Sequence, residues 1–188
     1  PRPLGGLAKH TTAWQDLQRT IRIVRNQAEK EGLDPDRIGI MGSSAGGHLT
    51  LMGATSSNNR SYLAIDKLDN IPCNVQWAVA IYPAYVLTDG INGGNKNGGN
   101  EDDVRIVPEF SFDLATCPML FIQGDKDVYS PMGSVKCWEQ LRRMVIQSDL
   151  HTLARRGHCF QRRAAPETGS FTWMNRIWEF MNHKKFNR

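Results

Sequence analysis

A serine stands between two glycines at the spacing that nucleophilic catalysis requires. Gly42-Ser43-Ser44-Ala45-Gly46 fits the pattern G-x-S-x-G, and it leaves a short apolar run and opens an apolar helical segment. This context predicts a tight, strained turn that lifts the Ser44 hydroxyl clear of a sheet edge, with glycines two residues away on either side to avoid collisions with neighbouring backbone. The backbone N–H of Ala45, at the helix start, would then face a developing oxyanion.

This loop has two other interpretations. A Gly- and Ser-rich turn can simply cap a helix, and a glycine-rich loop can bind phosphate. No Gly-Lys-Ser/Thr follows the loop and no G-x-G-x-x-G occurs in it, so the nucleotide-binding patterns are not met. The nucleophile interpretation of Ser44 is favoured.

A serine nucleophile needs a base, and the base needs a carboxylate that orients it. After this kind of turn the chain order is serine, acid, histidine. Asp125 and Asp127 both follow the apolar run 119–123. We favour Asp127, because three residues after Gly124 let the chain turn back first. Asp125 is then expected to bond to backbone in the turn.

The candidate base is His158, in the loop Arg155-Arg156-Gly157-His158-Cys159-Phe160 that follows the last predicted strand. A single histidine is more often a surface or core residue, but His158 completes the expected order and Gly157 gives its loop freedom. His48, one turn after Ser44, is expected to pack or hydrogen-bond on its helix. No HExxH or comparable spacing is present, so no metal site is predicted.

Alternating apolar runs predict the elements that position these residues. A helix is expected from residue 11 or 12 to about 30, ended by Gly32, with an apolar stripe at Trp14, Leu17, Ile21, Val24 and Ala28. Strands are expected at 37–42, 75–82, 119–123 and 149–154, and further helices at about 45–56, 133–147 and 170–183, the last with Phe171, Met174, Ile177, Trp178 and Met181 on one face. The order predicts an α/β fold, a parallel sheet flanked by helices on both faces, in a single domain spanning residues 1–188.

Residues 86–116 are expected to be irregular, because their centre, 92–100, is almost entirely Asn and Gly. The part from 86 to 108 could cover a pocket, and its acidic residues 101–103 could contact sugar hydroxyls. A solvated loop with no role in binding is an equally supported interpretation. Tyr85 is expected to line the site. The candidate substrate-binding residues are Ser43, Tyr82 and Tyr129.

Composition excludes several classes of protein. The 188 residues are 40% hydrophobic and 22% charged, an ordinary globular balance, and no run reaches the roughly 20 apolar residues of a membrane span. The net charge of +4 is read as surface charge, since no motif for binding nucleic acid accompanies it. The four cysteines form no CxxC pair. Disulfide use stays open, and with it the choice between a secreted or periplasmic protein and a bacterial cytoplasmic one.

The same residues resemble a known family. Residues 34–49 (DPDRIGIMGSSAGGHL) look like the elbow region of the bacterial carbohydrate acetyl esterases, which are α/β hydrolases often grouped as xylan acetyl esterase or feruloyl esterase-like. Residues 123–127 (QGDKD) and 156–160 (RGHCF) resemble that family's acid and histidine loops. The resemblance runs from about Trp14 to the end of the chain. It implies a serine esterase that removes O-acetyl groups from a plant polysaccharide such as xylan.

One family feature has no good match. The family carries an early strand followed by His-Gly-Gly or Gly-Gly-Gly, which supplies half of the oxyanion hole, whereas Gly5-Gly6 has no strand before it. We therefore expect the first strands of the fold to lie upstream of this sequence. Ala45 is the one oxyanion donor that the residues name.

The expected reaction is two-step acyl transfer through Ser44, with His158 as base and Asp127 as its orienting acid. No cofactor or metal is expected, and the partner is a small ester or an acetylated polysaccharide, with no nucleic acid and no membrane. A serine peptidase of the same fold and a non-catalytic binding module are the alternatives. The oligomeric state is open.

Overall fold

The computed structural model describes residues 10–88, 105–163 and 172–183. Apolar runs in this part of the chain form a sheet of four parallel strands, and two very short strands form an antiparallel pair beside it. The six strands in chain order are β1 (Gly39–Ser43), β2 (Trp77–Ile81), β3 (Leu87–Thr88), β4 (Arg105–Ile106), β5 (Met119–Gly124) and β6 (Ser148–Leu153).

The parallel sheet has the strand order β1-β2-β5-β6, and its register aligns the carboxyl ends of the strands. Ser43 pairs with Ile81, and Ile81 pairs with Ile122 on the next strand. Gly124 at the end of β5 pairs with Leu153 at the end of β6. Residues that follow these strands therefore emerge along one edge of the sheet, where ligands of open α/β sheets bind.

In the described part of the chain, four helices cover the sheet: α1 (Thr11–Gln27), α2 (Ala45–Thr55), α3 (Met132–Arg143) and α4 (Trp173–His183). Short 3₁₀ helices lie at Glu29–Glu31, Lys67–Asn70 and Phe160–Arg163. Gly32 ends the first of these at φ 69°, a left-handed conformation that suits glycine. The predicted α/β architecture is confirmed. Among the described residues no helix has the length and apolar character needed to cross a membrane.

Side chains that alternate along the strands fill two hydrophobic cores, one on each face of the sheet. Ala78, Ala80 and Phe121 point into the core shared with α1, α2 and α3. Val79 and Ile122 point into the opposite core, which the described part of α4 and the segment at Phe160 complete. Burial on both faces explains why β2 and β5 are continuous apolar runs.

The buried face of α1 differs from the predicted stripe. Val24 is exposed, while Gln18 and Arg22 are buried. The Gln18 amide donates to the Asn59 carbonyl and the Arg22 guanidinium donates to the Ile71 carbonyl, so both polar side chains are satisfied by the segment that follows α2. Hydrophobic periodicity does not detect such positions, because their burial depends on partners elsewhere in the chain.

The predicted face of α4 is also partly wrong. Met174 and Trp178 are exposed, whereas Phe180 is buried with Ile177 and Met181 packed beside it. The apolar residues of α4 form one wide face, and periodicity alone does not select which part of that face packs against the sheet. Phe171 lies outside the described residues.

The segment predicted to be irregular contains two short strands. Leu87–Thr88 and Arg105–Ile106 pair as the antiparallel strands β3 and β4, so β2 leads into a strand and not into a helix. Residues 89–104, with the Asn- and Gly-rich centre and the three acidic residues, lie outside the described part of the chain.

Candidate active site

The turn between β1 and α2 holds Ser44 in an unusual backbone conformation, with φ 56° and ψ −122°. A non-glycine residue in such a region costs about 1–3 kcal/mol, which the surrounding structure must offset. The Ser44 N–H donates to the Ile81 carbonyl at 3.0 Å, and the Ser44 carbonyl accepts from the N–H groups of His48 and Ala84, both at 3.1 Å. The bonds with Ile81 and Ala84 fix the strained turn to the end of β2 and the segment after it, and the bond from His48 is the first turn of α2.

The two glycines of the motif are not equivalent. A Cβ atom added to Gly42 would lie 2.3 Å from the Gly46 carbonyl oxygen, so this position requires glycine. A Cβ added to Gly46 meets nothing within 4 Å among the described residues. The prediction that a side chain would collide with backbone is therefore confirmed for Gly42, whereas at Gly46 no described residue outside its own helix would meet one.

Three side chains predicted to act together lie in hydrogen-bond contact at the carboxyl edge of the sheet. Ser44 Oγ is 2.7 Å from His158 Nε2. His158 Nδ1 is 2.9 Å from both carboxylate oxygens of Asp127. Because a carboxylate only accepts, Nδ1 carries a proton in this arrangement and Nε2 can accept the proton of Ser44. The geometry can activate a serine hydroxyl as a nucleophile.

The carboxylate of Asp127 is 0% exposed and has two further donors. The Gln123 side-chain amide donates to Asp127 Oδ2 at 3.1 Å, and the Tyr129 backbone N–H donates to Oδ1 at 2.9 Å. Gln123 is itself held by the Ser134 hydroxyl, which donates to its amide oxygen at 2.9 Å. A buried ion so surrounded keeps one orientation, since each donor offsets part of its desolvation.

Gln123 and Ser134 are functional candidates that the sequence interpretation missed. Gln123 stands inside β5, among apolar neighbours, and it is fully buried. One signal could have identified Gln123. It is a polar residue near the end of a buried apolar strand, four residues before the candidate acid. Ser134 comes from α3, so only the fold brings it to this place.

Aromatic rings surround the histidine. Tyr82 is 1% exposed and meets the His158 ring edge-on, with 4.9 Å between ring centroids. Its ring therefore supports the imidazole from within the core and does not face the open site, contrary to the predicted contact with substrate. Tyr129 lies on another side of the imidazole at 4.8 Å, and its hydroxyl donates to that of the exposed Tyr85 at 3.2 Å.

The remaining predicted site residues lie beside Ser44. Ser43 ends β1, and its hydroxyl accepts a long hydrogen bond of 3.4 Å from the Gln161 amide, which links the serine turn to the histidine loop. Ala45 begins α2, so its N–H has no acceptor within the helix and can meet a developing oxyanion. The Asp125 carboxylate accepts from the Arg156 backbone N–H, which fits its expected role in backbone bonding.

The edge of the sheet next to this site is open among the described residues. β1 is the outermost strand on the serine side, and its Met41 side chain is 55% exposed. Edge strands carry unpaired backbone groups that can accept a further strand.

Comparison with known proteins places the chain among esterases. The family model described as BD-FAE matches residues 4–103, more than half of the chain. Among curated protein sequences, none matches.

Solved structures share the fold at low sequence identity. The chain is similar to an acetyl ester-xyloside bifunctional hydrolase from Caldicellulosiruptor lactoaceticus, with a TM-score of 0.73, 20% identity, and coverage of 95% of this chain and 68% of that one. A butyrate-bound thermophilic esterase from the planctomycete Thermogutta terrifontis gives a TM-score of 0.71 at 20% identity, with the same coverage. A carboxylesterase from Lactobacillus plantarum gives 0.71 at 18% identity, covering 97% of this chain and 71% of that one. These likenesses establish the α/β-hydrolase fold, and the family match shows that the chain belongs to the BD-FAE family of α/β-hydrolase esterases.

Proposed function

We propose that this protein hydrolyses carboxylic esters through a triad of Ser44, His158 and Asp127. The observation that carries the proposal is the unbroken hydrogen-bonded chain from Ser44 Oγ through His158 to Asp127, at 2.7 and 2.9 Å. The backbone conformation of Ser44 supports it, because strain of this kind persists where function requires it.

The proposed reaction has two steps. His158 Nε2 takes the proton of Ser44 while Oγ attacks the ester carbonyl, and the tetrahedral intermediate collapses as Nε2 returns that proton to the departing alkoxide. Water, deprotonated by Nε2, then attacks the acyl-enzyme, and the proton passes to Ser44 as the acid leaves. Asp127 holds the tautomer throughout and stabilises the imidazolium. Tyr82 and Tyr129 keep the imidazole in place by packing against it.

The Ala45 N–H is the proposed donor to the oxyanion. One donor is half of an ordinary oxyanion hole, and loss of a donor costs about 10²–10³ in rate. The exposed edge of β1 lies beside the serine turn, so further strands paired there would bring a loop within reach of the oxyanion. We propose that the active protein includes such strands, and intact mass of the native protein, which reports residues before Pro1, tests this part.

The proposed substrate is a short acyl ester, in particular an O-acetyl group on a plant polysaccharide such as xylan. Two similar structures support a small acyl group: one is an acetyl ester-xyloside hydrolase and another was solved with butyrate. Tyr85 and Tyr129 present hydroxyls beside His158, where they can contact a sugar alcohol. Ser43 remains a proposed substrate contact.

The test of the triad is p-nitrophenyl acetate hydrolysis by Ser44→Ala. We expect kcat to fall by about 10⁴-fold or more, as for other triads that lose a member. Ser148→Ala is the matched control, because Ser148 begins β6 at the other end of the strands, and it should keep wild-type kcat. Full activity of Ser44→Ala would reject the triad.

The substrate class needs a separate assay. Acetate release from acetylated xylan should exceed acetate release from a mixture of deacetylated xylan and free acetylated sugar analogues. With p-nitrophenyl esters, kcat/KM should fall as the acyl chain becomes longer than butyrate. A peptide panel decides the alternative of a peptidase. Cleavage of peptides with no ester hydrolysis would overturn the proposal.

A further inference from the structure

A second cluster of polar side chains lies one helical turn beyond Ser44. It consists of His10 at the start of α1, His48 on α2 and Glu109 after β4. His10 Nδ1 and His48 Nε2 each lie 3.6 Å from the same oxygen, Glu109 Oε1. All three potential ligand atoms lie within 4.8 Å of one another.

The hydrogen bonds of His48 define which of its nitrogens is free. Nδ1 lies 3.1 Å from the Tyr85 carbonyl and 3.3 Å from the Ala84 carbonyl. Carbonyls only accept, so Nδ1 carries the proton and Nε2 keeps a lone pair. A hydrogen bond from the far ring nitrogen to a carbonyl is the arrangement that orients metal-binding histidines.

His48 Nε2 is buried without a hydrogen-bond partner among the described residues, and its side chain is nine-tenths or more buried, at 6% exposure. Glu109 Oε1 is too far away, at 3.6 Å, for a hydrogen bond. A buried polar atom in this state costs about 1–3 kcal/mol and calls for an unseen partner.

We propose that His10, His48 and Glu109 bind one Zn²⁺ ion. Two imidazole nitrogens and one carboxylate are a ligand set that zinc takes, with water as the fourth ligand. Ligand bonds of about 2.0–2.1 Å place neighbouring ligand atoms of a tetrahedral site roughly 3.3–3.5 Å apart. The two 3.6 Å separations to Glu109 are close to that spacing, and His10, which is partly exposed, can move to complete it.

A zinc ion here would join the start of α1, the elbow helix and the segment after β4. Through the Nδ1–H of His48 it would also hold the backbone carbonyls of Ala84 and Tyr85, and the Tyr85 side-chain hydroxyl accepts from the Tyr129 hydroxyl. The sequence pattern predicted no metal because the three ligands come from separate segments with no short spacing between them.

The test is calorimetric titration of Zn²⁺ into the full chain after treatment with a chelator. We expect one ion per chain, a rise in Tm on binding, and the visible absorption of a four-coordinate site when Co²⁺ replaces Zn²⁺. His10→Ala and Glu109→Gln, both at partly exposed positions, should each weaken binding by at least about 10–100-fold, the cost of losing even an outer-shell partner.

Two control variants locate the ion. His183→Ala removes an exposed histidine at the end of α4 and should bind Zn²⁺ as the wild type does. His158→Ala should also bind, because the proposed site does not use the triad. Failure of the wild type to bind one equivalent, binding unchanged in both ligand variants, or binding lost in His158→Ala would each overturn the proposal.

Discussion

Replacement of Gln123 by leucine tests whether the buried amide positions the candidate acid. The change removes the 3.1 Å bond to Asp127 Oδ2 and deprives the buried Ser134 hydroxyl of its acceptor. A hydrogen bond to a charged group contributes about 1.5–3 kcal/mol. Since a chain of this size loses roughly 2–4 °C of Tm per kcal/mol, we expect Tm to fall by about 3–12 °C.

Activity should fall as well, and mainly through kcat. If the whole free energy of the lost hydrogen bond is lost from transition-state stabilisation, about 1.5–3 kcal/mol corresponds to a decrease of roughly 10- to 150-fold in kcat/KM for p-nitrophenyl acetate. Ser134→Ala leaves the Gln123 bond to Asp127 in place, so its effect should be smaller. The assay is steady-state kinetics at a temperature below the Tm of every variant.

A destabilised control separates positioning from stability. Leu141 is fully buried on α3, and Leu141→Ala should cost about 2–5 kcal/mol of unfolding free energy with kcat close to that of the wild type. If Gln123→Leu behaves like Leu141→Ala, with lower Tm and unchanged kcat, Gln123 supports only the fold and the reasoning is refuted.

Three further predictions follow from burial, charge and backbone. Of the four cysteines, Cys159 alone is not classed as buried, and burial raises the pKa of the Cys117 thiol to about 12. Iodoacetamide at neutral pH should therefore label Cys159 in the native protein and all four cysteines after unfolding. Hydrogen bonds from the Tyr62 hydroxyl and the Ile65 N–H lower the pKa of Asp69. The ionised carboxylate therefore stabilises the fold at neutral pH, and this contribution is lost as pH falls below about 4. In Asp69→Asn, the free energy of unfolding should depend less steeply on pH in this acidic range. Gly42→Ala should lower Tm far more than Gly46→Ala, because only the first places a Cβ against backbone.

The sequence predicted the elements whose burial follows from their own residues. β2 and β5 are apolar on both faces, and their places in the chain and parallel arrangement could be inferred from this pattern, although β2 is shorter than the predicted 75–82. The meeting of Ser44, Asp127 and His158 could also be inferred, because residues after parallel strands share one edge of the sheet.

Features that depend on partners distant in the chain were not predicted. Gln18 and Arg22 are polar residues on a buried helix face, which only the segment around residues 59–71 makes possible. Gln123 looks like an ordinary strand residue until α3 brings Ser134 to it. Tyr82 stands at a strand end as expected, but the core encloses its ring behind His158.

The most direct test of the proposed function is covalent labelling with a fluorophosphonate, read by intact mass and peptide mapping. An activated serine attacks phosphorus and displaces fluoride, whereas an ordinary surface serine does not. We predict a single adduct on Ser44, and none on the Ser44→Ala variant. A folded protein of native length that forms no adduct, or an adduct that maps to another residue, would contradict the assignment of Ser44 as the nucleophile.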